Sequence, residues 1–423
     1  MNSTHGLVVL FLILFVFQFV LERFLAVFNL RHILAHRDAV PELLKNALSH
    51  ENYERSIRYA KVRTRFDHVE ACFDAALALV YLFSGVIPWG NARIQHLGLG
   101  TLASGVLLIG GFLFVNSLLS LPLEWHETFH IEAQFGFNQT TWQTFWTDKL
   151  KSGIVSLVLG VPVLAALLWF IQHSGSTWWI WGAMFVIAFQ LALVVVYPFV
   201  IAPLFNKFTP LEEGEAKQQL RDLAESCLFK AKDIFVMDGS RRSTHSNAYF
   251  TGLGKARRIV LYDTLLQQLS LAELKAVLAH EIGHFKLGHI VKMIFLSSVL
   301  TFLGFFLCSA LLSCPPLFQA FGFDSRADAA GLLLIGLIAP AFTFWVKPLF
   351  SRLSRKHEYE ADAFAASVTR DPRNMGGALL KLFEKNLSTL LPHPAYSAYH
   401  YSHPTLLERL AALKWNIEAD API

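Results

Sequence analysis

Two short stretches of the chain carry side chains that could do metal chemistry. In His280-Glu281-Ile282-Gly283-His284, two histidines stand four residues apart with a glutamate beside the first. On a helix, positions four apart share a face one turn apart, so both imidazoles can reach one ion. Glu281 then lies next to the ion, free to take a proton from a water activated there, as in H-E-x-x-H zinc peptidases. A catalytic zinc usually has three protein ligands and one open position, so a third ligand is needed. His289 follows His284 by five residues and misses the extended pattern, in which a further histidine comes at six. The second stretch, His357-Glu358-Tyr359-Glu360-Ala361-Asp362, places Glu358 and Asp362 four apart, on one helical face. One carboxylate there can bind zinc while the other accepts an imidazole N–H and fixes the ligand's tautomer. Spacing alone leaves Glu358, Glu360 and His357 open as the third ligand.

The H-E-x-x-H pattern occurs twice. His126-Glu127-Thr128-Phe129-His130 is followed by Phe135-Gly136-Phe137-Asn138, which ends a helix, and no third ligand follows it on another helix. The copy at His280 sits inside Val277-Leu278-Ala279-His280, among small and apolar neighbours that pack around an ion. We therefore read His280 and His284 as the metal pair, and His126 and His130 as interfacial histidines at headgroup level.

The elements that must position these residues can be read outward from the motif. Ser270 and Glu273 have the spacing of a capping box. From Leu271 to Leu312 there is no proline, and the glycines are Gly283, Gly288 and Gly304, so one long helix is expected to run from the motif into a membrane. Residues 211–229 have apolar positions at helical spacing. Residues 233–237 and 258–262 read as short strands, with 246–251 as a third, together a small antiparallel sheet.

Composition places this unit at a bilayer. The 423 residues are 54% hydrophobic and only 16% charged, with a mean hydropathy of +0.43, too apolar for an ordinary soluble protein. The apolar residues gather into seven stretches long enough to span: 7–30, 69–89, 97–123, 153–171, 178–203, 290–312 and 329–349. Met1 to Gly6 lacks basic residues, and no small-residue cleavage site follows the first stretch, so it reads as a retained anchor. Arg31, Arg37, Lys45, Arg55, Arg58, Lys61, Arg63 and Arg65 crowd the first connection, marking the cytoplasmic side. Seven spans then put the N-terminus outside. The organisation is five membrane helices in 1–203, a cytoplasmic catalytic segment in 204–289, two membrane helices in 290–350 and a cytoplasmic catalytic tail in 351–423. The net charge of +4 needs no nucleic-acid partner, since the basic residues form no arm or reading motif. Cys72, Cys227, Cys308 and Cys314 have no C-x-x-C spacing and read as packing residues.

Taken together, these elements resemble the type I CAAX prenyl protease family of membrane zinc metallopeptidases. The resemblance runs through His280 to His284, Glu358-Tyr-Glu-Ala-Asp362, Ile201-Ala-Pro-Leu-Phe-Asn-Lys-Phe208, Ser246-Asn-Ala-Tyr-Phe250 and His400-Tyr-Ser-His-Pro404 with Glu408 and Arg409. It implies a mainly α, polytopic fold whose roughly seven helices enclose a water-filled chamber, with Asp74 and Glu132 along its lining and a gluzincin-like domain on the cytoplasmic face. It also implies one zinc per chain, held by His280, His284 and Glu358, with Asp362 as the supporting carboxylate. Asn247, Ala248, Tyr249 and Phe250 would form an edge that pairs with the substrate backbone. His403 and Arg409 would stand near the site, to position substrate or stabilise the oxyanion, or else form a structural turn and an ion pair.

The activity implied is hydrolysis of peptide bonds, Glu281 moving the proton. Partners are the lipid bilayer and a peptide or membrane-protein substrate, prenylated if the source is eukaryotic. Without prenyl specificity the role would be membrane-protein quality control. A seven-span zinc-binding transporter or receptor is the reading of another class, but no internal repeat or paired broken span supports it. The lack of long insertions favours a bacterial inner membrane over the endoplasmic reticulum. The ending Ala419-Asp-Ala-Pro-Ile423 carries no retention signal.

Overall fold

The computed structural model describes residues 3–229, 233–251 and 258–415. The ending 419–423 lies outside them. Among the described residues six helices are long and apolar enough to cross a membrane: Thr4–Ala35, Thr101–Glu132, Trp142–His173, Gly175–Phe205, His289–Leu312 and Asp328–Thr369. Counted as one span, the bent pair His50–Phe83 and Val86–Gln95, which meet at 55°, makes a seventh. The break falls at Gly85, whose φ of +79° ends the first helix of the pair. Side chains such as Ile13, Phe17, Leu113, Phe114, Val291 and Phe295 are exposed on these helices, as expected of faces turned to lipid. At the end of the bundle remote from His289, the helices pack on one another through Phe11, Tyr81, Leu108, Leu168, Trp178, Leu312 and Leu334.

Two of the crossings reach well beyond the hydrocarbon layer. His50–Phe83 has 34 residues, about 50 Å of helix against a core of about 30 Å. It therefore carries Arg55, Arg58, Lys61, Arg63 and Arg65 beyond the apolar stretch, and Arg55 donates to the Phe135 carbonyl at 2.6 Å. Asp328–Thr369 is a run of 42 residues, tightened into a 3-10 turn at Phe344–Val346. The last membrane crossing and the segment holding Glu358 and Asp362 are thus one rod.

Among the described residues the sheet has four strands: β1 (Phe208–Pro210), β2 (Asp233–Met237), β3 (Ala248–Thr251) and β4 (Arg258–Tyr262). Their order is β1-β2-β4-β3. It is mixed rather than antiparallel as expected, because β2 and β4 run parallel. The reason is topological: the chain passes β4's position, forms β3 on the outer edge, then returns to fill the centre. β1 escaped the sequence reading because it is three residues long and ends on a proline, an edge-strand arrangement with little periodicity. Ile234, Ile259, Leu261, Leu265, Leu278 and Ile282 form one core between sheet and motif helix.

The expected single helix over 271–312 is two. Leu271–Lys286 ends at Leu287, and His289–Leu312 begins after Gly288, whose φ is +70°. A left-handed glycine just past the last helical turn closes a helix. The capping box at the start forms as read, with Ser270 Oγ and Glu273 satisfying each other's backbone N–H.

Candidate active site

The motif helix is held against the rod by small residues. A Cβ on Gly283 would lie 3.2 Å from Ala361 Cα and 3.3 Å from the Ala361 carbonyl oxygen. A glycine facing an alanine permits this close approach without strain, and it brings Glu358 and Asp362 within reach of the imidazoles. His280 Nε2 lies 3.5 Å from Glu358 Oε2, His284 Nε2 lies 3.3 Å from Glu358 Oε1, and the two Nε2 atoms are 3.1 Å apart. Glu360 and His357, the alternatives left open by spacing, point elsewhere: Glu360 Oε2 is 2.8 Å from His289 Nε2, and the His357 ring stacks on His289 at 4.0 Å.

Do these residues fit a zinc ion? Glu358 is buried, and its Oε2 has no hydrogen-bond partner. A buried carboxylate oxygen left unpaired is costly, and a cation between it and two imidazole nitrogens removes that cost. Two histidines and one carboxylate are the donor set of a hydrolytic zinc site with an open position. The set fits.

Asp362 stands behind the pair. Its Oδ1 is 2.8 Å from His280 Nδ1, and Arg409 donates to both of its oxygens, Nε at 2.7 Å and Nη2 at 2.6 Å. Arg409 Nη1 is also 3.6 Å from Glu358 Oε2. Its short helix, Leu406–Ala412, is fixed by a second capping box, Thr405 with Glu408. His403 Nε2 lies 3.4 Å from Glu358 Oε1, with a side chain 63% exposed, and its Nδ1 is 3.0 Å from Ser402 Oγ.

Glu281 lines a cavity of about 620 Å³ with His284, Tyr249, Phe250, Met293 and Gln190. Burial pushes its carboxyl up to about 7, where a group can both take and release a proton near neutral pH. A further cavity of about 500 Å³ is lined by His403, Arg409, Tyr401 and Asn386. Ala248, Tyr249 and Phe250 lie in β3, with Asn247 just before it, and among the described residues β3 pairs with β4 on one side only. Tyr262 N–H donates to the Asn247 carbonyl at 3.1 Å. By the alternation of an antiparallel pair, Tyr249 also faces β4, while Ala248 and Phe250 turn their N–H and C=O to the free edge. The Asn247 side chain caps the Ala248 N–H at 2.9 Å, so among the described residues the Ala248 C=O and both Phe250 groups have no partner.

The structure does not bring His126 and His130 into this site. Their rings stack at 4.8 Å, Glu127 between them pairs with Arg63, and among the described residues no third ligand joins them. Tyr59 donates to Glu132 at 2.8 Å, and His245 Nε2 lies 3.5 Å from it. Asp74 is exposed on its helix. Sequence reasoning set His289 aside as a metal ligand and gave it no other role; its Nδ1 is 3.1 Å from His284 Nδ1. The available signal was Gly288: without a break, a residue five after His284 would be rotated about 140° from it.

A helical membrane body carrying an H-E-x-x-H centre on an internal helix, faced by a carboxylate from the last crossing, is the architecture of a membrane-embedded metallopeptidase. Residues 29–207 match the family model for the CAAX prenyl protease N-terminal region with five membrane helices, and residues 210–417 match peptidase family M48. The chain is 36% identical over 408 residues to CAAX prenyl protease 1 homolog of Arabidopsis thaliana, covering 94% of this chain and 96% of that protein. It is 36% identical to CAAX prenyl protease 1 of Saccharomyces cerevisiae, covering 89% and 88%. The crystal structure of S. mikatae Ste24p superimposes with a TM-score of 0.88 at 33% identity, covering 96% of this chain and 98% of that one. The chain belongs to the CAAX prenyl protease family within peptidase family M48, and is an integral, multi-pass membrane metalloendopeptidase.

Proposed function

We propose that the chain is a zinc endopeptidase that cuts prenylated CAAX substrates, with one zinc per chain held by His280, His284 and Glu358. The observation carrying this reading is the convergence of both Nε2 atoms on the two oxygens of Glu358, beside a glutamate in a cavity. When bound, zinc supplies an acidified water and a polarised scissile carbonyl. Glu281 takes the water's proton at its carboxylate and passes it to the leaving amine. Asp362 holds His280 in the tautomer that leaves Nε2 free for the ion, and Arg409 holds Asp362. His403, the exposed donor at the site, is assigned to the developing oxyanion. The substrate lies extended on β3, pairing with the Ala248 C=O and the Phe250 N–H and C=O.

The basic connection after the first crossing supports a site facing the cytoplasm. In the endoplasmic reticulum the substrates would be the cell's own prenylated proteins. In a bacterial inner membrane they would be unprenylated membrane proteins. Cleavage of a farnesylated CAAX peptide and its unprenylated twin by the protein in detergent tests this. We expect a clearly higher kcat/KM for the farnesylated peptide. Equal cleavage of both would leave a peptidase without prenyl specificity.

A further inference from the structure

The two histidines of the motif each aim Nε2 at Glu358, but their Nδ1 atoms have different supports. His280 Nδ1 meets Asp362, 2.8 Å away. His284 Nδ1 meets His289 Nδ1 at 3.1 Å, and His289 Nε2 in turn meets Glu360 Oε2 at 2.8 Å. Proton positions along this chain follow from one fact. If His284 binds through Nε2, its proton sits on Nδ1 and must be donated. His289 then accepts at Nδ1, carries its own proton on Nε2, and donates that to Glu360, using both nitrogens of a neutral imidazole. His289 is itself held: its side chain is 3% exposed, and His357 lies parallel to it, 4.0 Å away with 10° between the ring planes. The left-handed Gly288 turns His289 back toward His284.

We propose that His289 and Glu360 are positioning residues for the metal ligand His284, a second support independent of the Asp362–Arg409 pair behind His280. His289, His357 and Glu360 are close enough to gather round an ion of their own. However, parallel stacked rings direct their lone pairs side by side rather than to one point, and both nitrogens of His289 are already engaged. This inference rests on the reading that His280, His284 and Glu358 hold zinc.

The test is zinc affinity of the full chain in detergent, measured by competition with a chelator, alongside zinc content and the melting temperature of the metal-free protein. His289→Phe keeps the stacked ring and loses both nitrogens. We expect it to bind zinc about 10–100-fold more weakly while the metal-free melting temperature is unchanged. His289→Gln, which keeps an acceptor, should recover part of the loss, and Glu360→Ala should fall between it and wild type. Wild-type affinity in His289→Phe would overturn the proposal, as would a second zinc per chain that disappears in His357→Ala. If His289→Phe fails to fold, the partly exposed Glu360→Ala carries the test, and unchanged affinity there overturns it. A wild-type protein that binds no zinc would overturn the metal reading itself.

Discussion

His280 Nδ1 and Asp362 Oδ1, 82 residues apart in the chain, lie 2.8 Å from each other. That contact ties the motif helix to the rod that continues the last membrane crossing, and it fixes which nitrogen of His280 is free. Asp362 is 1% exposed and is neutralised by the Arg409 fork. Removing the arginine leaves a buried carboxylate without its cation, still held by the His280 imidazole. Arg409→Met should therefore cost about 3–5 kcal/mol of stability. Asp362→Asn should weaken zinc about 10–100-fold, read by chelator competition.

Gly283 sets the spacing between the two helices. Gly283→Ala gains up to about 1 kcal/mol in helix propensity but places a methyl against the Ala361 backbone, where overpacking costs about 1–3 kcal/mol. The two effects partly offset. Gly283→Val adds two further methyls in the same gap and forgoes the propensity gain, so it should lower the melting temperature clearly and zinc affinity with it. A valine variant as stable as wild type would show that the helices can separate without loss.

The free edge of β3 makes a prediction in which the fold is spared. The Phe250 N–H points away from β4, so a proline there removes no sheet hydrogen bond. Phe250 also packs on Phe229, with ring centroids 4.7 Å apart, so Phe250→Ala is the control for the lost side chain. Phe250→Pro should raise KM well above that of Phe250→Ala, at similar melting temperature. Equal KM in the two variants would remove the backbone pairing.

His245 links the catalytic segment to the membrane body through Glu132. That carboxylate raises the His245 pKa above its ordinary 6.5. The link's contribution to stability is thus fully present below about pH 6.5 and is lost as pH rises through the raised value. The melting-temperature gap between wild type and His245→Gln should shrink from pH 6 to pH 9. A gap that stays constant or widens would contradict this.

Much of the site could be read from the chain because its parts are local. His280, Glu281 and His284 sit within five residues on one helix, and the capping box at Ser270 announced where that helix starts. Glu358 needed more: on spacing alone it stood level with Glu360 and His357; the family resemblance pointed to it, and the crossing geometry at Gly283 and Ala361 gives the physical reason. What escaped has a common cause. The parallel β2–β4 pairing depends on the order in which distant strands assemble, which no local pattern records. The helix break at Gly288 was masked by the apolar run on both sides, and with it the return of His289 to His284. The Glu132–His245 and Glu360–His289 pairs likewise join separate elements whose packing is a tertiary outcome.

The most direct test of the central claim compares wild type and Glu281→Gln for zinc content and for cleavage of a farnesylated CAAX peptide. The substituted amide keeps the shape of the side chain but cannot take the proton. About one zinc per chain in both proteins, with turnover lower by about 10²–10⁴-fold in the variant, is the predicted result. Substantial cleavage by Glu281→Gln, or a folded wild-type protein without zinc, would contradict the account.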